Sequence, residues 1–95
     1  MIVTRYSSIT TDVFEEQLVA IVSYYLENES PQRADKVAQS ISETVQRIKE
    51  NPLQFPIYEK AKDCRKAVVH DTFIILFKVI ETQIFVFDIY HGKRK

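Results

Sequence analysis

Apolar side chains recur at helical spacing in the segment 12–29. From Phe14 onward they occupy positions i, i+4, i+7, i+8 and i+11, which line one face of a helix. Asp12 precedes Glu15 by three residues, so this pair resembles a capping box with aspartate in the place of serine or threonine. The sequence therefore predicts a first amphipathic helix from Asp12 to about Glu29.

A second apolar stripe follows with almost no connector. From Ala34 to Ile48 its members lie at i, i+3, i+4, i+7, i+11 and i+14. Ser30 can cap this helix, and Pro31 in its first turn removes no intrahelical hydrogen bond. The Asn51-Pro52 pair ends it. We expect the two helices to form an antiparallel hairpin whose stripes face a common surface.

The spacing changes from helical to alternating in the second half of the chain. Three strands are predicted in quick succession at 64–69, 73–80 and 83–90, and a short first strand at 2–6. The strand 73–80 is apolar at nearly every position, which is typical of a strand in the interior of a sheet. The segment 51–63 is predicted to be an ordered loop across the core. Its large apolar residues are Phe55, Ile57 and Tyr58.

These elements give the order β-α-α-β-β-β, an α+β fold in which an N-terminal helical hairpin packs on a mainly antiparallel sheet. A chain of 95 residues is expected to form one domain, residues 1–95. More apolar strand residues are present than two helices can cover, so the other face of the sheet is also expected to be apolar, which is typical of a partner site. The side chains behind this expectation are Ile74, Leu76, Ile80, Ile84 and Val86.

The amino-acid composition excludes several classes of protein for this chain. A single cysteine makes no internal disulfide, and with only two histidines no metal-ligand spacing exists, so we expect neither a disulfide scaffold nor a metal or other cofactor. Unbroken apolar runs reach five residues at most, and the segment 1–5 lacks the apolar region of a signal peptide. We therefore expect a cytoplasmic protein that does not contact a membrane.

The formal net charge is zero, which argues against a surface that binds nucleic acid throughout. The charges are unevenly distributed, however. Residues 1–50 carry 8 acidic and 5 basic side chains, whereas residues 51–95 carry 5 acidic and 8 basic. Lys93, Arg94 and Lys95 supply this basic excess, so contact with an anionic partner is expected at the C-terminal end.

The order of these elements, together with several short segments, resembles the RelE/ParE superfamily of bacterial type II toxins over essentially the whole chain. The segments that carry the resemblance are Ile48-Lys49-Glu50-Asn51-Pro52, Cys64-Arg65-Lys66, the apolar strand Phe73–Val79 and the closing run Ile89-Tyr90-His91-Gly92-Lys93-Arg94. The resemblance implies a growth inhibitor that a cognate antitoxin, a small acidic protein, holds inactive. Both a homodimer and a heterotetramer with the antitoxin stay open as assemblies.

Members of this superfamily act in two ways. RelE-like members resemble ribosome-dependent, metal-independent mRNA endoribonucleases, whereas ParE-like members inhibit DNA gyrase. The two long helices and the neutral charge favour the gyrase inhibitor for this chain, while the run from His91 to Arg94 favours the nuclease. The third alternative is a module that binds its antitoxin without being toxic.

If the chain is a nuclease, the resemblance assigns catalysis to Arg65, His91 and Arg94. Cleavage of RNA by its own 2′-hydroxyl needs a base, an acid and cations for the charge on the phosphorane. Arginine suits phosphate, and histidine titrates near neutral pH. The simpler alternative is a solvated basic tail after a strand that His91 ends. Contacts to the target, whichever it is, are assigned to Lys93, Lys95 and Tyr90.

Two further residues are weaker candidates for chemistry. Cys64 stands next to the basic Arg65 and Lys66, which can lower the pKa of a thiol, but a small buried hydrophobe at a strand start is the simpler interpretation. His70 and Asp71 are neighbours in a predicted turn, where adjacent side chains usually point apart, so no catalytic dyad is expected.

Overall fold

The computed structural model describes residues 5–92, and residues 1–4 and 93–95 lie outside this range. Its elements in chain order are strand β1 (Ser7–Thr10), helices α1 (Asp12–Asn28) and α2 (Pro31–Glu50), a 3-10 turn (Pro52–Gln54), and strands β2 (Ile57–Tyr58), β3 (Ala61–Val69), β4 (Phe73–Ile80) and β5 (Gln83–His91). The strands form one sheet in the order β1-β5-β4-β3-β2, with β1 parallel to β5 and the other neighbours antiparallel. The predicted α+β fold and the interior position of β4 are confirmed.

The first strand begins later than predicted. It occupies Ser7–Thr10 instead of 2–6, and residues 2–4 of the predicted strand lie outside the described range. The position of β1 is set by its pairing with Gln83–Val86 of β5, and the strand leads directly into α1. The hydroxyl-rich strand has little of the apolar alternation by which strands are recognised in a sequence.

The cap of α1 is Thr11, so the expected capping box at Asp12 is wrong. Thr11 keeps the extended backbone of β1, and its Oγ1 accepts a hydrogen bond from the Phe14 amide at 3.2 Å. Glu15 accepts a hydrogen bond from the side chain of Thr10 instead. The cap of α2 is confirmed, because Ser30 Oγ accepts from the backbone amide in the first turn at 3.1 Å.

One side of the sheet faces the helices and forms the core. Phe14 of α1 meets Ile41 and Ile48 of α2 there, and none of these three side chains is more than 2% exposed. The strand residues that join them are Ala67, Val69, Phe73, Ile75, Phe77, Ile84, Val86 and Ile89. No helix among the described residues is long and apolar enough to cross a membrane.

Of the five side chains expected to be too many for the helices to cover, Ile84 and Val86 are fully buried on the helix-facing side. A β-bulge explains the difference. Leu76 pairs with Asp88 but the next residue of β4 pairs with Val86, so Phe87 is an extra residue in β5. Because of this bulge, the alternation of side chains along β5 does not predict which face of the sheet each side chain occupies.

The opposite side of the sheet, which we call the open face, has no helix packed on it among the described elements. By the strand register it contains Ile9, Lys66, Val68, Ile74, Leu76, Lys78, Ile80, Phe85, Asp88 and Tyr90. Ile80 is 52% exposed and Val68 46%. The prediction of a second apolar face is thus confirmed for Ile74, Leu76 and Ile80.

The segment after α2 is partly as predicted. Pro52 is buried, and the ring of Phe55 stands edge-on to Phe77 with ring centres 5.8 Å apart, so the loop does cross the core. Ile57 contributes nothing to this packing, because its side chain is 52% exposed. β3 starts at Ala61, three residues earlier than predicted, because Ala61 pairs with Tyr58 of the additional strand β2.

Both turns between the last three strands use left-handed backbone without glycine. His70 and Asp71 have φ of 50° and 56°, and Glu81 has φ of 56°. Such a conformation costs a residue with a β-carbon roughly 1–2 kcal/mol. The His70 ring is held by Ser40 of α2, with 2.7 Å between Nε2 and Oγ. The turn between β3 and β4 is therefore fastened to the helical layer.

Candidate functional site

Arg65 lies in β3 on the helix-facing side of the sheet, opposite Phe77 of β4. Its Nη1 donates a hydrogen bond of 2.6 Å to the carbonyl oxygen of Phe55. The guanidinium thereby holds the loop that crosses the core.

His91 ends β5, opposite Phe73, and its ring stands edge-on to the Phe73 ring with 5.6 Å between centres. Gly92 follows, and its amide donates to the carbonyl oxygen of Thr72 at 2.6 Å. A β-carbon at Gly92 would lie 3.3 Å from both that oxygen and the Ile74 side chain, so a larger residue would fit tightly here. Its φ is not positive, so glycine is not required here for an unusual backbone conformation. The candidates Lys93, Arg94 and Lys95 lie outside the described residues.

The fold does not bring Arg65 and His91 together. Arg65 pairs with Phe77 and His91 with Phe73, at separate positions along β4. Two strand spacings across the sheet and four residues along it place their Cα atoms about 16 Å apart. The two side chains therefore do not surround one phosphate group in this arrangement.

Tyr90 projects onto the open face, where its hydroxyl lies 3.2 Å from that of Tyr58. Burial, followed by the hydrogen bond with Tyr58 and the nearby acidic charges, raises the pKa of Tyr90 from 10.0 to about 12. The phenol is therefore neutral at physiological pH and available as a hydrogen-bond donor.

The raised pKa of Tyr90 predicts a loss of stability at high pH. An unfolded tyrosine titrates near 10, so this contribution to stability is fully present below pH 10 and is lost as the pH rises from 10 to about 12. Ultraviolet absorbance should show a late-titrating tyrosine in the wild type, and Tyr90→Phe should remove it. Tyr24→Phe, at a residue 57% exposed, should leave the late step in place. A wild type without any late step would contradict the buried hydroxyl pair.

Cys64 and His70 do not form reactive sites. Cys64 is 6% exposed, and burial, then the nearby Asp63, raises the pKa of its thiol, so a lowered pKa is excluded and the small buried hydrophobe is confirmed. The His70 ring contacts Ser40 and is not paired with Asp71. Within residues 5–92 no cluster of three or more histidine, cysteine or acidic side chains could hold a metal ion.

A groove of about 800 Å³ lies between α1 and the second half of β5. It exists because β1 pairs only with Gln83–Val86, which leaves the rest of β5 without a neighbouring strand on that side. There Gln17 of α1 takes the place of a strand, with its Oε1 accepting the Ile89 amide at 3.1 Å. We call this the hairpin groove. Its apolar lining comes from Ala20, Ile21, Tyr24, Tyr25, Phe73 and Ile89.

A second cleft of about 500 Å³ continues the hairpin groove between α2 and the turn after β3. The two share Tyr25, Arg33 and Phe73. Arg33 and Lys36, against the one acid Glu43, give this end a net positive charge, and neither cation forms an ion pair within the described part of the chain. An apolar groove with a basic end fits a segment that carries apolar and acidic side chains.

Sequence reasoning did not identify the hairpin groove. One signal for it was present, because α1 carries large apolar residues outside its core-facing stripe. Val19, Tyr24 and Leu26 are all more than half exposed, and Tyr24 lines the groove. No local sequence pattern indicates that β1 pairs with only half of β5 and leaves the other half without a neighbouring strand.

Comparisons with known proteins agree with this architecture. Residues 9–95 match the family described as the ParE toxin of the type II toxin-antitoxin system, parDE. Among solved structures, one described as the chromosomal ParDE TA system from P. aeruginosa has a TM-score of 0.82 at 22% identity, over 93% of this chain and 97% of that chain. No curated protein sequence matches significantly. Since the family match extends over nearly all of the sequence, the chain belongs to the ParE toxin family of type II toxin-antitoxin systems.

Proposed function

We propose that this toxin inhibits growth by binding DNA gyrase in the cytoplasm, and that its cognate antitoxin neutralises it by occupying the hairpin groove. Membership of the ParE family is the observation that carries the choice of gyrase. The activity is that of a binding protein, whose contact surfaces for gyrase are the C-terminal residues and the part of the helical hairpin outside the hairpin groove. Target contacts are proposed for Tyr90 and for the basic side chains of Lys93, Arg94 and Lys95.

The geometry gives less support to an mRNA endoribonuclease. General acid–base catalysis requires its groups within hydrogen-bond reach of the reacting atoms. The Cα atoms of Arg65 and His91 are about 16 Å apart by the sheet register. This distance is much larger than the width of one phosphate group. Arg65 is also engaged with the carbonyl oxygen of Phe55.

The hairpin groove suits an acidic antitoxin on two grounds. Its apolar lining can bury the apolar side of a segment that folds on binding. Its basic end, with Arg33 and Lys36, complements acidic side chains of such a segment. The same occupant would lie along the bare half of β5, where main-chain groups face the groove.

The gyrase target is tested by running two assays in parallel on the wild-type toxin. A supercoiling assay with purified gyrase should show inhibition, and primer extension on translated mRNA after brief induction should show no new cleavage. Arg94→Ala should weaken gyrase inhibition modestly and in a salt-dependent way, because an exposed cation contributes a screened attraction. Lys60→Ala, in the exposed turn between β2 and β3, is the matched loss of charge and should have no effect.

The opposite results decide between the alternatives. Discrete cleavage within codons, abolished by Arg94→Ala or His91→Ala, would replace the gyrase inhibitor by an mRNA endoribonuclease. A chain that binds its antitoxin but shows neither activity would be an antitoxin-binding module without toxicity.

A further inference from the structure

The open face of the sheet contains a carboxylate oxygen without a partner. Asp88 lies in the row formed by Lys66, Leu76 and Asp88 across three strands. Its Oδ1 is buried and has no hydrogen-bond partner within the described residues. Removing a carboxylate oxygen from water without a donor is unfavourable, and such groups are rare in folded proteins. We therefore expect Asp88 to lower the stability of the folded chain, and no packing contact of Asp88 explains its presence.

The lysines near Asp88 are engaged by other acids. Lys66, in the same row, has its Nζ 3.0 Å from Glu59 Oε2. Lys78 has its Nζ 2.8 Å from Asp63 Oδ2. Among the described residues Asp88 itself has no cation within ion-pair distance.

Both apolar and polar side chains surround Asp88. Leu76 is directly opposite in β4, and the neighbouring rows of the same face pair Ile74 with Tyr90 and Lys78 with Phe85. Because the helices and the loop around Phe55 pack on the other side of the sheet, no described helix covers Asp88 on the open face.

We propose that the open face is a docking surface, separate from the hairpin groove, for a protein segment that presents an arginine or lysine between apolar side chains. The cation donates hydrogen bonds to Asp88, and the apolar neighbours of the cation pack on Ile74 and Phe85. Charge complementarity selects this occupant, because Asp88 Oδ1 has no partner within the described residues while Lys66 and Lys78 are paired with other acids. The proposal does not depend on which cellular target the toxin has.

A thermal unfolding comparison tests whether Asp88 is kept at the expense of stability. Asp88→Asn should raise the Tm of the isolated chain by about 4 °C, because the desolvated charge is removed. Asp63→Asn makes the same chemical change at an acid that is already paired with Lys78, and should leave the Tm unchanged or lower it. A lower Tm for Asp88→Asn would assign Asp88 a structural role and overturn the proposal.

Binding is tested with a defined probe, the peptide Ac-Val-Arg-Val-NH2, and its neutral analogue in which citrulline replaces arginine. NMR titration of the labelled chain should show shifts around Asp88 and Ile74, with at least ~10-fold tighter binding of the arginine peptide, as expected for a charge-assisted hydrogen bond. Asp88→Asn, or Asp88→Thr if the first variant folds poorly, should abolish this preference. Asp63→Asn should retain it.

Two other outcomes would overturn the proposal. Equal binding of the two peptides by the wild type would show that Asp88 does not select a cation. If replacing Lys93, Arg94 and Lys95 by alanine lowers the Tm and strengthens peptide binding, the chain's own tail occupies the face and no partner segment is needed.

Discussion

Ile41→Ala is expected to lower the free energy of unfolding by about 2–5 kcal/mol. Ile41 is 1% exposed and lies in the core between α2 and the sheet, so truncation leaves a cavity that the surrounding side chains fill only partly. Small domains have total stabilities of about 5–15 kcal/mol, so this one change removes a large share. Urea denaturation followed by circular dichroism measures it, with antitoxin absent because a bound partner adds stability.

Two variants calibrate that result. Ile41→Val removes one methylene and should cost about 0.5–1.5 kcal/mol. Ser42→Ala changes the adjacent, exposed position and should leave the midpoint nearly unchanged. A loss below half a kcal/mol for Ile41→Ala would mean that the second apolar stripe does not pack as described.

Ala20→Glu is expected to weaken antitoxin binding by about 100-fold or more. Ala20 lines the hairpin groove and is exposed on α1, and glutamate is also a good helix former, so the fold should tolerate the change. The new side chain fills part of the groove and repels an acidic segment. Isothermal titration with the cognate antitoxin measures the affinity.

Val19→Glu is the matched control, because it adds the same charge to the same helix at a residue 64% exposed and outside the groove lining. It should bind antitoxin as the wild type does. In cells, the Ala20→Glu toxin should still inhibit growth but should no longer be rescued by co-expressed antitoxin. Full rescue, with affinity within about threefold of the wild type, would place the antitoxin elsewhere.

The sequence was sufficient to predict the helical layer. Ser30 and Pro31 at the start of α2, and Asn51-Pro52 at its end, are local signals whose physical effect does not depend on the rest of the fold. The limits of β4 were predictable for a similar reason, since the run from Phe73 to Ile80 is long and apolar.

Features set by pairing between distant segments were not predictable. The bulge at Phe87 moves Ile84 and Val86 to the helix-facing side, and it is visible only in the register between β4 and β5. The hairpin groove depends on where β1 stops along β5. The lone acid at Asp88 within an apolar strand was a visible signal, but its lack of a partner follows from the pairing of Lys66 with Glu59.

The candidate site was predictable only in part. The resemblance pointed to the end of β5, and His91 and Tyr90 do lie there beside the hairpin groove. It also grouped Arg65 with them, although the sheet register separates Arg65 from His91. A list of residue types along a chain carries no information about distances across a sheet.

The parallel pairing of β1 with β5 also bears on how the toxin is synthesised. Ser7 lies beside Gln83 and Thr10 beside Val86, so the first strand to leave the ribosome has no neighbour until one of the last segments has followed it. Contacts this distant in sequence form late, whereas those between α1 and α2 are local and form early. A nascent chain therefore carries a helical hairpin without a complete sheet for most of its translation. Because β5 forms one wall of the hairpin groove, the surface proposed for the antitoxin is complete only once translation has passed β5.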